Sequence, residues 1–152
     1  MTTAQRSLHH TQNFLKSRRL VDDLLRRSSI GRDDLVYEIG PGRGKITAGL
    51  LARCRQVVAV EADPHLAALL RRRFAGEPRL ALHAADCRDF PPPAEPYKVF
   101  ANIPFDITAA IIARLTAGPR PADDLYLIVQ REAAERFLGV PRETLPAVLL
   151  KP

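Results

Sequence analysis

Tyr37-Glu38-Ile39-Gly40-Pro41-Gly42-Arg43-Gly44 is the stretch on which the reading of this chain turns. Ahead of it, Leu35 to Ile39 reads as a buried strand. Behind it, Lys45 to Arg53 reads as a helix with Ile46, Leu50 and Leu51 facing inward. Glycines between a strand and a helix let the backbone turn sharply and approach a ligand closely, and the helix start presents free N–H groups. The spacing excludes two ligand classes. A dinucleotide fingerprint, G-x-G-x-x-G, needs glycine at position 45, where Lys45 stands. A Walker loop ending in Gly44-Lys45 needs glycine at 39 and Ser or Thr at 46, and both are isoleucine.

Working outward, Gln56 to Val60 is a second β-rich run ending in Glu61. Asp63-Pro64 starts a helix, with Asp as N-cap and Pro at the first helical position, running to about Phe74. Leu80 to His83 reads as a third strand, and Pro91-Pro92-Pro93 as a loop. Val99 to Ala101 is a fourth strand ending at Asn102, Thr108 to Leu115 a helix, and Leu125 to Val129 a fifth strand. Glu132 to Leu138 reads as another helix, with Glu132 and Arg136 at i,i+4. Before the first strand, Leu20, Val21, Leu24 and Leu25 share one face of a helix from Ser17 to Arg27, preceded by a polar, loose segment to about Asn13. Strands alternating with helices predict an α/β Rossmann-like fold, a mostly parallel sheet covered on both faces. No repeat and no linker divides the chain.

The chain has 152 residues, 46% of them hydrophobic, which suits one domain with a core. Its formal charge of +6 points to a polyanionic partner, nucleic acid being the usual one. Cys54 and Cys87 have no metal-ligand spacing and make no disulfide framework. They fit reduced thiols. No metal site is expected. No stretch is apolar enough to span a membrane, and Met1 to His10 has no secretory character, so the expectation is a cytoplasmic protein, acting as a monomer.

Candidate site residues gather at the strand ends. Glu61 lies about 20 residues beyond the glycines, where an acid hydrogen-bonds ribose hydroxyls; the alternative is a solvated carboxylate. Asp86, after the third strand, is either an acceptor for an adenine amino group or an ordinary loop cap. Cys87 beside it would flank the ring. Asn102-Ile103-Pro104-Phe105 closes the fourth strand. Two acceptors on an adenine's exocyclic amine free its lone pair. Asn102 offers its side-chain oxygen, and Ile103, held extended by Pro104, offers its carbonyl. Phe105 stacks on the base, a contact of roughly 1–3 kcal/mol. Lys16, Arg18 and Arg19 are candidate phosphate contacts. Arg71-Arg72-Arg73 more simply complement a helix C-terminus.

The loop that remains, E-x-G-x-G-x-G, is the pattern of S-adenosylmethionine enzymes. Thr11-Gln12-Asn13-Phe14-Leu15, Glu38 to Gly44, Val60-Glu61-Ala62-Asp63, Asp86 and Asn102-Ile103-Pro104-Phe105 occur in the order found in the rRNA adenine N6-dimethyltransferases, and the chain resembles that family over nearly its whole length. Gln130 to Arg136 also looks like the family's segment after the fifth strand. Ile-Pro-Phe looks more like the erythromycin-resistance branch than the small-subunit enzymes. The resemblance implies S-adenosylmethionine as cofactor. It implies 23S rRNA as partner, with one adenine methylated to block macrolide, lincosamide and streptogramin B antibiotics. It places Asn13 and Leu15 at the methionine end, Gly40 and Gly42 along it, Glu61 and Ala62 at the ribose, Asp86 and Cys87 at the adenine, and Asn102 between cofactor and target amine. Two alternatives stand beside it: a 16S rRNA adenine dimethyltransferase, and a non-catalytic RNA- or cofactor-binding module. Family members continue with two further strands and a small helical domain; Leu145 to Leu150 is where the approach to the sixth strand should begin, so a sheet lacking those C-terminal strands is expected, with no second domain.

Overall fold

The computed structural model describes residues 17–103, 107–129, 134 and 148–150. In chain order the elements are α1 (Arg18–Arg27), β1 (Leu35–Ile39), α2 (Lys45–Leu51), β2 (Gln56–Glu61), α3 (Pro64–Arg73), β3 (Leu80–Ala84), β4 (Lys98–Asn102), α4 (Thr108–Ala117), β5 (Asp124–Ile128) and β6 (Val148–Leu150). They form one sheet of order β3-β2-β1-β4-β5-β6. The first five strands are parallel, and β6 runs antiparallel to β5. Every residue of β1 is buried, as a central strand covered on both faces must be.

The strand period of two sorts the core into two layers. Val36, Val57, Ala59 and Phe100 face Val21, Leu25, Ile46 and Leu50 of α1 and α2. Leu35, Tyr37, Ile39, Val99 and Ala101 face Ile111 and Leu115 of α4. Helix α1 opens on Ser17, whose hydroxyl accepts the Leu20 N–H at 3.4 Å, and it buries Val21 and Leu25. Helix α3 opens on Asp63, whose carboxylate accepts from the N–H groups of His65 and Leu66, with Pro64 behind it. Helix α2 stops two residues short of the expected Arg53. The N–H groups of Arg53 and Cys54 both turn back onto the Leu50 carbonyl, at 2.8 and 2.9 Å.

The first five strands make the expected parallel sheet. Val148–Leu150, inside the stretch expected to approach a sixth strand, adds a short antiparallel strand against Leu125 to Leu127, pairing backbone groups that an open edge would expose. The expected helix from Glu132 lies outside the described residues, apart from Ala134, which is helical and buried. Among the described residues no helix is long and apolar enough to cross a membrane, and no cluster of His, Cys, Asp or Glu could hold a metal.

The N-terminal ends of β4 and β5 carry a polar knot. The Lys98 ammonium donates to Asp34 Oδ2 at 2.9 Å and to the Ser29 carbonyl at 2.8 Å. It lies 4.0 Å from Asp124 Oδ2. The Tyr126 hydroxyl accepts the Ser29 N–H and donates to Ser29 Oγ, each at 2.8 Å. This knot holds the α1–β1 loop against the sheet, at the end opposite the glycine loop.

Candidate cofactor and catalytic site

Strand order reverses between β1 and β4, and the crevice beyond the carboxyl ends of these strands is where open α/β sheets take ligands. The glycine loop and Asn102 both sit there. Gly40 has φ +68° and donates its N–H to the Val60 carbonyl at 3.0 Å. A Cβ on it would stand 3.1 Å from the Asn102 carbonyl oxygen. Glycine at position 40 therefore serves two needs, a left-handed backbone and a close approach to the end of β4. Gly44, with φ +76°, starts α2, and a Cβ there would press on Leu70 and Phe74 within 2.7 Å.

Glu61 is buried at the end of β2. Its carboxylate accepts the Gly42 N–H at 2.9 Å and the Asp63 N–H at 3.0 Å. The residue read from sequence as a ribose acceptor thus also ties the glycine loop to β2, and each oxygen keeps a further lone pair. Ala62 beside it is exposed.

Asp86 follows β3 as a loop cap in this structure. Its carbonyl accepts from Asp89 N–H (3.1 Å) and Phe90 N–H (2.9 Å). Its carboxylate accepts from the Arg88 N–H, Nε and Nη2, at 2.8, 3.0 and 2.5 Å. Those hydrogen bonds from Arg88 hold the Asp86 carboxyl below the usual range. Cys87 is buried, and burial, with the neighbouring Asp86 charge, pushes its thiol up.

Asn102 ends β4 in register with Ile128. Its side-chain oxygen Oδ1 is buried without a hydrogen-bond partner. Ile103 is fully buried and donates its N–H to the Ile128 carbonyl at 3.1 Å. Pro104, Phe105, Asn13, Leu15 and Lys16 lie outside the described residues. Arg18 and Arg19 are exposed in the first turn of α1, where cations oppose the helix dipole rather than complement it. Arg71 and Arg72 are exposed in the last turn of α3, where they do complement it. Arg73 instead donates to the Arg43 carbonyl and lies 5.3 Å over the Phe74 ring.

Glu38 lies inside the glycine motif, where type and spacing alone assign it no role. It is 1% exposed, and neither carboxylate oxygen has a hydrogen-bond partner. Burial pushes its pKa up to about 8, Glu61 adds to the rise, and Thr47 pulls the other way. The signal was present: an acid within an otherwise apolar strand.

Glu38, beside the glycine loop in sequence, and Asn102, at the end of β4, each hold buried side-chain oxygen without a hydrogen-bond partner, the kind of atom a polar ligand would satisfy. Residues 4–145 match the family described as ribosomal RNA adenine dimethylase. The chain is 39% identical over 140 residues to a ribosomal RNA small subunit methyltransferase A from a Synechococcus strain, covering 86% of this chain and 50% of the relative. It is 36% identical to the protein of that name from Alcanivorax borkumensis, covering 86% and 48%. The crystal structure of 23S rRNA methyltransferase ErmE is similar with a TM-score of 0.76 at 33% identity, covering 82% of this chain and 51% of that one. A dimethyladenosine transferase from Plasmodium falciparum is similar at 0.74 and 28%, covering 82% and 46%. The chain spans about half the length of the curated relatives it matches. With its Rossmann-like sheet and its match over residues 4–145, the chain belongs to the ribosomal RNA adenine dimethylase family.

Proposed function

We propose that this chain carries the cofactor-binding and catalytic part of an enzyme that methylates the N6 amine of an adenine in ribosomal RNA. The family implies S-adenosylmethionine as cofactor, and the unsatisfied buried oxygens of Glu38 and Asn102 fit a polar, cationic ligand. When bound, it supplies an already activated methyl group, so the residues need mainly to position the amine. The observation that carries the reading is Asn102 Oδ1, buried and unpartnered where β4 meets the glycine loop.

On this reading Asn102 Oδ1 accepts one N–H of the target amine and the Ile103 carbonyl the other. Phe105 stacks on the base. Glu61 takes the cofactor's ribose, and Asn13 and Leu15 its methionine end. Glu38, a buried carboxyl whose oxygens make no well-formed hydrogen bond and that Thr47 draws toward ionisation, suits a cationic group of the cofactor. Asp86 takes the cofactor's adenine amine. For that it must loosen its exposed ion pair with Arg88, a pair of the kind worth about 0–1 kcal/mol. Arg18 and Arg19 meet RNA phosphates, which accounts for cations placed against a helix dipole. A target adenine within a duplex has to leave its stack, at a cost of a few kcal/mol.

The target is small-subunit rRNA, a reading supported by curated relatives of 35–42% identity that bear that name. The 23S reading, with its macrolide-type resistance, has support from ErmE and from Ile103-Pro104-Phe105. The experiment supplies labelled S-adenosylmethionine with each ribosomal subunit and digests the rRNA to nucleosides. Label in N6-methylated adenosine of 16S rRNA is expected. Label confined to 23S rRNA overturns the small-subunit target and leaves the resistance reading in its place. Binding of S-adenosylmethionine with no label in either RNA supports a non-catalytic module instead.

A further inference from the structure

Arg114 projects from helix α4, after β4, yet its guanidinium reaches back to the loop that follows β3. Nη1 donates to the Cys87 carbonyl at 2.6 Å and also to the Arg88 carbonyl, and Nη2 donates to the Phe90 carbonyl at 2.8 Å. The sequence explains why these carbonyls need it. Asp86 to Phe90 form a single helical turn, closed by the Asp89 and Phe90 N–H groups on the Asp86 carbonyl. Were the turn to continue, the carbonyls of Cys87 and Arg88 would accept from positions 91 and 92. Both are proline, as is 93, and proline has no N–H. The last carbonyls of the turn are therefore orphaned. One guanidinium, with five donors in a fixed fork and a charge that suits a helical C-terminus, answers them together.

We propose that Arg114 is a positioning residue that fixes the Asp86–Phe90 loop for the cofactor's adenine and locks that loop to the helix following Asn102-Ile103-Pro104-Phe105. Arg114 touches neither cofactor nor target; it acts by setting where Asp86 and Cys87 stand relative to Asn102. The inference rests on the adenine role proposed for Asp86.

The test is a double-mutant cycle read by isothermal titration with S-adenosylmethionine on the full chain, with thermal unfolding of each variant alongside. Asp86→Asn is expected to weaken binding, and Arg114→Met to weaken it about tenfold, a coupling typical of residues sharing one hydrogen-bond network. The double variant is expected to bind no worse than Asp86→Asn, because both changes act through one loop. Arg114→Lys keeps the charge but not the fork, is gentler on folding, and is expected to give intermediate affinity. Full binding by Arg114→Met while Asp86→Asn is weakened overturns the clamp alone. Losses that simply multiply in the double variant also overturn it, since general loosening of the fold does not depend on Asp86. Full binding by Asp86→Asn overturns the adenine reading on which the clamp stands. Wild-type affinity for Arg114→Lys overturns the argument from the fork.

Discussion

Among the described residues, Asn102 and Glu38 are two of four side chains with buried polar atoms that lack a hydrogen-bond partner. Asn102 Oδ1 makes no hydrogen bond, so removing it costs the fold none. Asn102→Ala should fold, bind S-adenosylmethionine, and lose methyl transfer by at least about a hundredfold, the scale of a misplaced reacting group. Undiminished turnover would remove Asn102 from the mechanism. Glu38 is the second. Its carboxyl ionises ordinarily near 4.5 and is held to about 8 in the fold. Between those values the unfolded chain has released this proton and the folded chain has not, so stability falls as pH rises through the window and levels off above it. Below 4.5 both states are protonated and the group contributes no slope. Thermal midpoints of the ligand-free chain should therefore decline from pH 4.5 to about 8 relative to Glu38→Gln. Parallel profiles for the two proteins would refute the assignment. At this scale the sequence was unevenly legible. Asn102 and Glu61 declare themselves through type and spacing. The burial of Glu38 depends on Thr47 and the neighbouring strands closing over it. The Asp86–Arg88 pair is local, but nothing in the residue order says which partner a carboxylate will choose.

Elements were legible where local chemistry is decisive. Asp63-Pro64 starts α3 as expected, because an acceptor and a fixed φ act within one turn. Ends were less so: α2 stops at Leu51 because Arg53 and Cys54 curl back onto Leu50, a turn no apolar period announces. The junction of β1 with α2 is tightly constrained, with Gly40, Gly42 and Gly44 all at positive φ. Gly40→Ala combines a left-handed residue, worth about 1–2 kcal/mol of strain, with a methyl pressed on the Asn102 carbonyl. It should lower stability by about that amount in a denaturant titration and also weaken S-adenosylmethionine binding. Normal affinity in a destabilised chain would mean the loop and Asn102 move apart without consequence.

Across the whole molecule the two ends of the sheet have separate duties. The carboxyl ends gather the candidate site, whereas Lys98, Asp34, Asp124, Ser29 and Tyr126 secure the opposite end. Lys98→Ala leaves two partly buried carboxylates without their cation. It should cost about 2 kcal/mol of stability, typical of a charged hydrogen bond, while leaving S-adenosylmethionine affinity unchanged. A matching loss of affinity would show that the two ends are not independent. The alternation of strands and helices made the parallel sheet legible in advance. The strand order was not, because pairing between distant strands leaves no local mark.

That central pairing also sets a schedule. β1, β2 and β3 follow one another through short crossovers, but β4 reaches β1 only after the whole of that first half has been made. Closing so long a loop is slow compared with joining neighbours in sequence. During synthesis the glycine loop, Glu61 and Asp86 leave the ribosome before Asn102 does. Until β4 has been made, β1 therefore waits with one edge unpaired, and the glycine loop lacks the Asn102 backbone against which Gly40 packs.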